Sequence, residues 1–229
     1  MIPLRDTIRS RTFPIVTYSL IGLNVFIFLI ERSLPVHELD SIVVMYGIVP
    51  ARLIHSPFSS FYILFTSMFL HGGWTHLIGN MWALYLFGDN VEDVMGHFRF
   101  IVFYIMAGVV AGLVHILFNP LSTVPTIGAS GAIAGVMGAY FILFPRSTII
   151  TLVPLFFLPF FVEIPAVIFI GFWFLSQFFN GTLSLVTPGV LGGIAWWAHV
   201  GGFAFGLFFH RLFMTRRYRK VYPDEIFPF

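Results

Sequence analysis

Cysteine is absent from the 229 residues. That excludes a disulfide framework, a thiolate nucleophile and any cysteine-liganded metal, and it removes the usual mark of redox compartment. Charge is scarce as well, with Asp, Glu, Lys and Arg together making 10% of the chain. The sequence pI of about 9.1 could point to nucleic acid. The basic residues, however, sit at the ends of apolar segments, where membrane topology accounts for them, so no nucleic-acid partner is expected. What the chain has in quantity is apolar surface: 58% hydrophobic residues, 30 of them phenylalanine. The mean hydropathy of +0.93 is too high for a soluble domain of this size. The expected class is an all-α polytopic membrane protein in contact with a lipid bilayer.

Candidate transmembrane segments lie at 13–30, 74–87, 100–118, 127–144, 162–180 and 194–213. The first follows three arginines and lacks a cleavage site, so it reads as a helix of the mature protein. The stretch 31–73 reads as a long loop lying along the membrane interface. Its apolar run Phe61 to Leu70 is too short to cross, and Gly72-Gly73 separates it from the next helix. The apolar segment 147–161 contains Pro154 and Pro159, is short for a span, and is also placed at the interface.

Six spans put both termini on one side. Arg5, Arg9, Arg11, Arg99, Arg146, Arg211, Arg216, Arg217, Arg219 and Lys220 then share that side, against Arg32 and Arg52 opposite. The positive-inside rule makes the termini cytoplasmic. The whole chain, 1–229, is expected to be one membrane domain with its core at roughly 45–215, without an internal repeat of the transporter kind.

In this topology the second, fourth and sixth spans all begin at the outer face. His76 and Asn80 lie early in the second, Ser130 early in the fourth and His199 about a turn into the sixth. Each is roughly 5–10 Å below the outer end of its helix. Polar groups in such segments are costly and usually have a task. Gly202 and Gly206 share a face with His199, while Gly131, Ala134, Gly135 and Gly138 line the Ser130 helix. Small faces allow close approach, which would bring the serine hydroxyl to the imidazole. Ordinary small-residue packing yields the same glycine pattern; the histidine at matching depth favours a nucleophile and its base.

His76 and Asn80, four residues apart, can donate to a developing oxyanion together with the Ser130 backbone N–H. A polar pair joining two helices is the competing reading of these two. His71 falls at the junction of loop and helix, as an interfacial histidine or a holder of water. The chain has no His-Glu-x-x-His, and no carboxylate is expected within a span near the outer face, so neither a metal nor a cofactor is expected. Without an aspartate beside His199, the unit should be a Ser-His dyad and not a triad.

The segments His71-Gly-Gly-Trp-Thr-His76-Leu-Ile-Gly-Asn80, Gly128-Ala-Ser130-Gly131 and Ala198-His199-Val-Gly-Gly202, in that order, resemble the rhomboid family of intramembrane serine proteases. The stretch Phe87 to Arg99 is similar to that family's loop between the second and third helices. The resemblance implies the six-helix rhomboid fold, Ser130 as nucleophile, His199 as general base and acid, and His76 and Asn80 at oxyanion positions. His71, Gly128 and Gly202 support the site. The segment 31–73 becomes the membrane-embedded loop, and the substrate a transmembrane helix cut near its outer end at a small residue, reached laterally near the fifth helix. One position departs from the pattern. Rhomboids often carry an aromatic residue one turn after the serine, stacked on the histidine, where this chain has Ala134. Trp196, Trp197 and Phe203 are the candidates to replace it. Two other readings use the same residues: a proteolytically silent rhomboid-like protein that binds transmembrane clients, whose mark would be loss of the serine or histidine, and a small-solute transporter. The lack of soluble extensions points to a prokaryotic cell membrane.

Overall fold

The computed structural model describes residues 1–155, 158–186 and 194–215. Six long helices carry the fold: α1 (Ile15–Ser33), α2 (Trp74–Met95), α3 (His97–Phe118), α4 (Ser130–Leu143), α5 (Ala166–Val186) and α6 (Trp196–Phe213). Each overlaps one of the six apolar segments. By length and hydropathy α1, α3 and α5 can cross a bilayer. The other three are built differently. The last two turns of α2 contain Asp89, Glu92 and Asp93, and α4, with 14 residues, rises only about 21 Å. The chain is therefore a mostly helical membrane protein in which three helices are long and apolar enough to span.

Two segments depart from the sequence reading. Of the stretch read as a long loop, residues 31–33 complete α1 and the remainder carries a series of short helices, Val36–Tyr46, Pro50–His55, Pro57–Ser60 and Ile63–Thr66, followed by the 3-10 turn Ser67–Phe69. The Arg52 guanidinium donates to the carbonyls of Val44, Met45 and Gly47, closing the first of these helices. Ile63, Leu64 and Met68 of this stretch are buried.

The second departure is a three-stranded antiparallel sheet, β1 (Ile2–Asp6), β2 (Thr148–Leu155) and β3 (Leu158–Pro165), in that spatial order. An all-helical chain was expected. The β-branched run Thr148-Ile149-Ile150-Thr151 favours a strand, and Pro154 faces Pro159 near the hairpin tip, where the ladder is ending anyway. Glu163, expected at the end of the fifth span, lies in β3 and accepts a hydrogen bond from Thr148 Oγ1 at 3.1 Å. α5 starts three residues later.

Polar groups gather at the end of the bundle that holds this sheet. Glu92 is fully buried, and its carboxylate accepts from the backbone N–H groups of Val16 and Thr17 and from the Thr17 hydroxyl. It thereby caps the free N-terminus of α1 from a different helix. His97 Nδ1 lies 2.5 Å from the same carboxylate. Asp93 accepts from the backbone and hydroxyl of Thr12. Asp6 accepts from the Tyr140 hydroxyl and from Asn90 Nδ2, tying β1 to α4 and α2. Burial pushes the Asp6 carboxyl up to about 7, against the opposing pull of the Tyr140 hydrogen bond. The stretch expected to be the loop between the second and third helices is therefore helical up to Met95, breaks at Gly96 with φ of 77°, and resumes at His97.

α4 is the centre of the molecule: every residue from Gly131 to Tyr140 is buried. It packs on α2, α3, α5 and α6. Contact with α6 is backbone to backbone. A side chain on Gly202 would overlap the Gly131 carbonyl, one on Gly206 the Gly135 carbonyl, and one on Gly138 the Phe203 carbonyl. Replacing Gly206 with alanine should therefore lower stability by about 1–3 kcal/mol, the usual cost of overpacking. Gly22→Ala on α1, where nothing lies within 4 Å of an added methyl, should leave it unchanged or slightly raised. Equilibrium unfolding of both variants in mixed micelles with increasing SDS reads the difference.

Candidate active site

The glycine contact fixes what lies at the start of α4. Ser130 is the first residue of α4 and His199 the fourth of α6. Their side chains meet: His199 Nε2 is 2.8 Å from Ser130 Oγ. The imidazole is buried and the serine half-buried. As the first residue of a helix, Ser130 contributes a backbone N–H without an intrahelical acceptor, at the positive end of the helix dipole.

Gly128, two residues earlier, has φ of 125°, a conformation that L side chains rarely adopt. A Cβ there would also sit 2.6 Å from the His76 ring and 3.6 Å from Asn80 Nδ2. Its N–H donates to the Ser67 carbonyl at 2.8 Å, which anchors the approach to Ser130. The bare glycine thus lets two side chains of α2 come against the chain just before the serine. The structure brings together Ser130, His199, His76, Asn80 and Gly128, with Gly202 holding the helices one turn below. A cavity of about 890 Å³ opens over this group, lined among others by His76, Asn80, Ser130, Trp196 and His199.

His71 sits behind α2. Its Nε2 lies 3.1 Å from Asn80 Nδ2, its ring meets the His76 ring edge-on at 5.1 Å, and its backbone N–H donates to both oxygens of Glu31 at 3.3 and 3.4 Å. Burial first, and the neighbouring His76 second, push the His71 imidazole down to about 4. The Glu31 contact corrects the expectation that no carboxylate lies near the outer face. The first helix continues past residue 30 to Ser33, and Glu31 is buried within it.

Two further residues were not singled out from the sequence. Gln177 of α5 places its Oε1 2.8 Å from His199 Nδ1. Trp173, one turn earlier, has its ring 5.8 Å from the imidazole with 35° between planes. Of the three candidate replacements for the missing aromatic at Ala134, Trp196 meets His199 edge-on at 6.4 Å. Trp197 stacks instead on Phe118 and Phe203 on Phe174. The available signal for Gln177 was an amide in the middle of an apolar helix, where uncharged polar groups bond across helices.

A family model described as Rhomboid domain matches residues 59–216, more than half of the chain and all of this cluster except Glu31. The chain belongs to the rhomboid family. Rhomboid-like protein 11, chloroplastic, of Arabidopsis thaliana is 36% identical over 112 residues, 49% of this chain and 39% of that protein. The rhomboid YdcA of Bacillus subtilis is 32% identical over 130 residues, 57% of this chain and 62% of its own length. The rhomboid protease GluP of the same organism is 32% identical over 126 residues, 55% of this chain and 24% of its own. In each case this rhomboid spans less than two thirds of its relative.

The low position of His71 carries a pH dependence. An unfolded histidine binds its proton near 6.5, the folded one only near 4. Between those values the unfolded chain holds more protons, so stability is complete above 6.5 and is lost as pH falls toward 4. In a histidine NMR titration of this rhomboid in micelles, the His71 ring signals should stay at their neutral positions from pH 8 down to 5. Replacing His71 with asparagine should reduce the loss of unfolding free energy between pH 6.5 and 5.

Proposed function

We propose that the protein is an intramembrane serine endopeptidase that hydrolyses a peptide bond near the outer end of transmembrane-helix substrates. The observation that carries this reading is the 2.8 Å contact between His199 Nε2 and Ser130 Oγ at a helix N-terminus that lines a cavity shared with His76 and Asn80. Membership of a family that includes proteases supports it.

In this reading the Ser130 oxygen attacks the scissile carbonyl carbon while its proton passes to His199 Nε2. The carbonyl π electrons move to oxygen. The resulting oxyanion is met by the Ser130 N–H and by donors from His76 and Asn80, which flank Gly128. Collapse of the tetrahedral intermediate breaks the C–N bond, with His199 returning the proton to the leaving amine. A water from the cavity then hydrolyses the acyl-enzyme by the same route in reverse. His71 holds Asn80 in place from behind.

The substrate must present an unwound backbone, because helical amides are shielded by their own hydrogen bonds. The basic residues Arg5, Arg9, Arg11, Arg99, Arg146 and Arg211 belong to the end opposite the site, on or beside β1 and β2, at the junction of α2 and α3 and in the last turn of α6. With the six helices as six spans, that end is cytoplasmic and the site faces outward. Arg216, Arg217, Arg219 and Lys220, counted on that side from sequence, lie outside the described residues.

A fluorophosphonate probe should label the wild-type protein and not Ser130→Ala, and Ser130→Ala and His199→Ala should each lose cleavage of a model transmembrane substrate by several orders of magnitude. His76→Ala and Asn80→Ala should each slow single-turnover cleavage about a hundred- to a thousandfold, about 3–4 kcal/mol, while substrate binding holds. Labelling that survives in Ser130→Ala, or a His76 or Asn80 variant that binds poorly but cleaves at the normal rate, overturns the respective role.

A further inference from the structure

We infer that Gln177 is a positioning residue for His199, fixing the tautomer in which Nδ1 carries the proton and Nε2 is free to accept from Ser130, with Trp173 holding the face of the ring. The inference rests on the catalytic reading of Ser130 and His199 above.

The argument starts from the amide. Gln177 has one end that only donates and one that only accepts. Its Nε2 lies 3.2 Å from the Trp173 carbonyl and 2.8 Å from Ser176 Oγ. The Trp173 carbonyl can only accept, so the end facing it is the NH2. The Ser176 hydroxyl donates to the same carbonyl at 2.6 Å, which leaves its oxygen free to accept from Gln177. The amide orientation is thereby set within α5, before His199 is considered.

Its oxygen then faces His199 Nδ1 at 2.8 Å, in a buried site where Gln177 is 6% exposed and His199 9%. An acceptor at that distance requires Nδ1–H. A neutral imidazole protonated on Nδ1 has its lone pair on Nε2, and that is the atom 2.8 Å from the serine oxygen. With an apolar side chain at 177, the imidazole would gain most by moving its proton to Nε2 and donating to Ser130. In that state it cannot take the serine proton.

The same helix holds the ring in plane. Trp173 and Gln177 are four residues apart, so both project from one face of α5, one against the imidazole face and one against its Nδ1 edge. Together they do what an aromatic residue one turn after the serine cannot do here, since that position is Ala134, fully buried against α6. A neutral amide acceptor differs from the carboxylate of a triad in one respect. It orients the ring without placing a full charge in an apolar site, which would be costly to bury.

The test uses the full-length protein in bicelles with three readouts: the rate of fluorophosphonate labelling, kcat and KM on a model transmembrane substrate, and the 15N spectrum of the His199 ring, assigned by difference from His199→Asn. Gln177→Met, close in volume, should lower the labelling rate and kcat about 10- to 100-fold, the range in which a histidine's orienting partner acts elsewhere, with KM within about twofold of wild type. Gln177→Glu, whose neutral carboxylic acid can donate its O–H to the Trp173 carbonyl and still accept from Nδ1 with its carbonyl oxygen, should recover most of the rate. The 15N spectrum should show the Nδ1–H form in the wild type and a mixture in Gln177→Met. Wild-type labelling and kcat in Gln177→Met, or a loss confined to KM, overturns the inference. A wild-type protein that the probe does not label refutes the catalytic reading instead, while the 15N spectrum still reports whether Gln177 sets the tautomer.

Discussion

Three backbone carbonyls resting against three glycines decide where everything else goes. Gly131, Gly135 and Phe203 offer the oxygens, and Gly202, Gly206 and Gly138 the bare Cα surfaces that receive them. No side chain separates α4 from α6 at these points, so their backbones lie in direct contact. A serine that begins one helix and a histidine one turn into the other then have to touch. A water-filled gap or one intervening methyl would separate them. The catalytic geometry proposed here is thus a by-product of how these two helices pack.

At the opposite end of the bundle, buried polar side chains hold the chain ends and helix starts together. Glu92 illustrates the logic: it is fully buried, and two of its partners are main-chain N–H groups at the start of α1. A helix start in an apolar medium needs such an acceptor, because the unsatisfied donors would each cost as much as a broken hydrogen bond. Asp93 and Asp6 do similar service for Thr12 and Tyr140. These anchors all sit at the end away from Ser130, while a cavity opens at the Ser130 end.

How much of this was legible in the sequence follows from what each signal depends on. The six helices announced themselves because a long apolar segment needs nothing but its own composition to be recognised. Ser130, His199, His76, Asn80 and Gly128 stood out because their spacing and depth carry information without coordinates. The sheet did not, since Thr148 to Pro165 is apolar without clean alternation, and its register with Ile2 to Asp6 spans more than 140 residues. Glu31 was placed outside the helix by closing the first span at residue 30. Gln177 and Trp173 were passed over for a subtler reason: a lone amide and a lone indole in an apolar helix gain meaning only when the neighbour they face is known.

α5 holds the imidazole but buries few of its own residues. Among its 21 residues only Ala166, Ile170, Gln177 and Gly181 are buried. Besides the His199 contact it meets α6 through the Trp197 indole, which donates to the Gly181 carbonyl, and through the ring pairs Phe174–Phe203 and Phe178–Trp197. The free energy of a local opening scales with the buried contacts it gives up, so detaching α5 is cheap beside unfolding the core around α4. Heat should therefore reach the histidine's support first. Warming then detaches α5 while the helices around α4 stay packed, and cooling lets it settle back without refolding the rest.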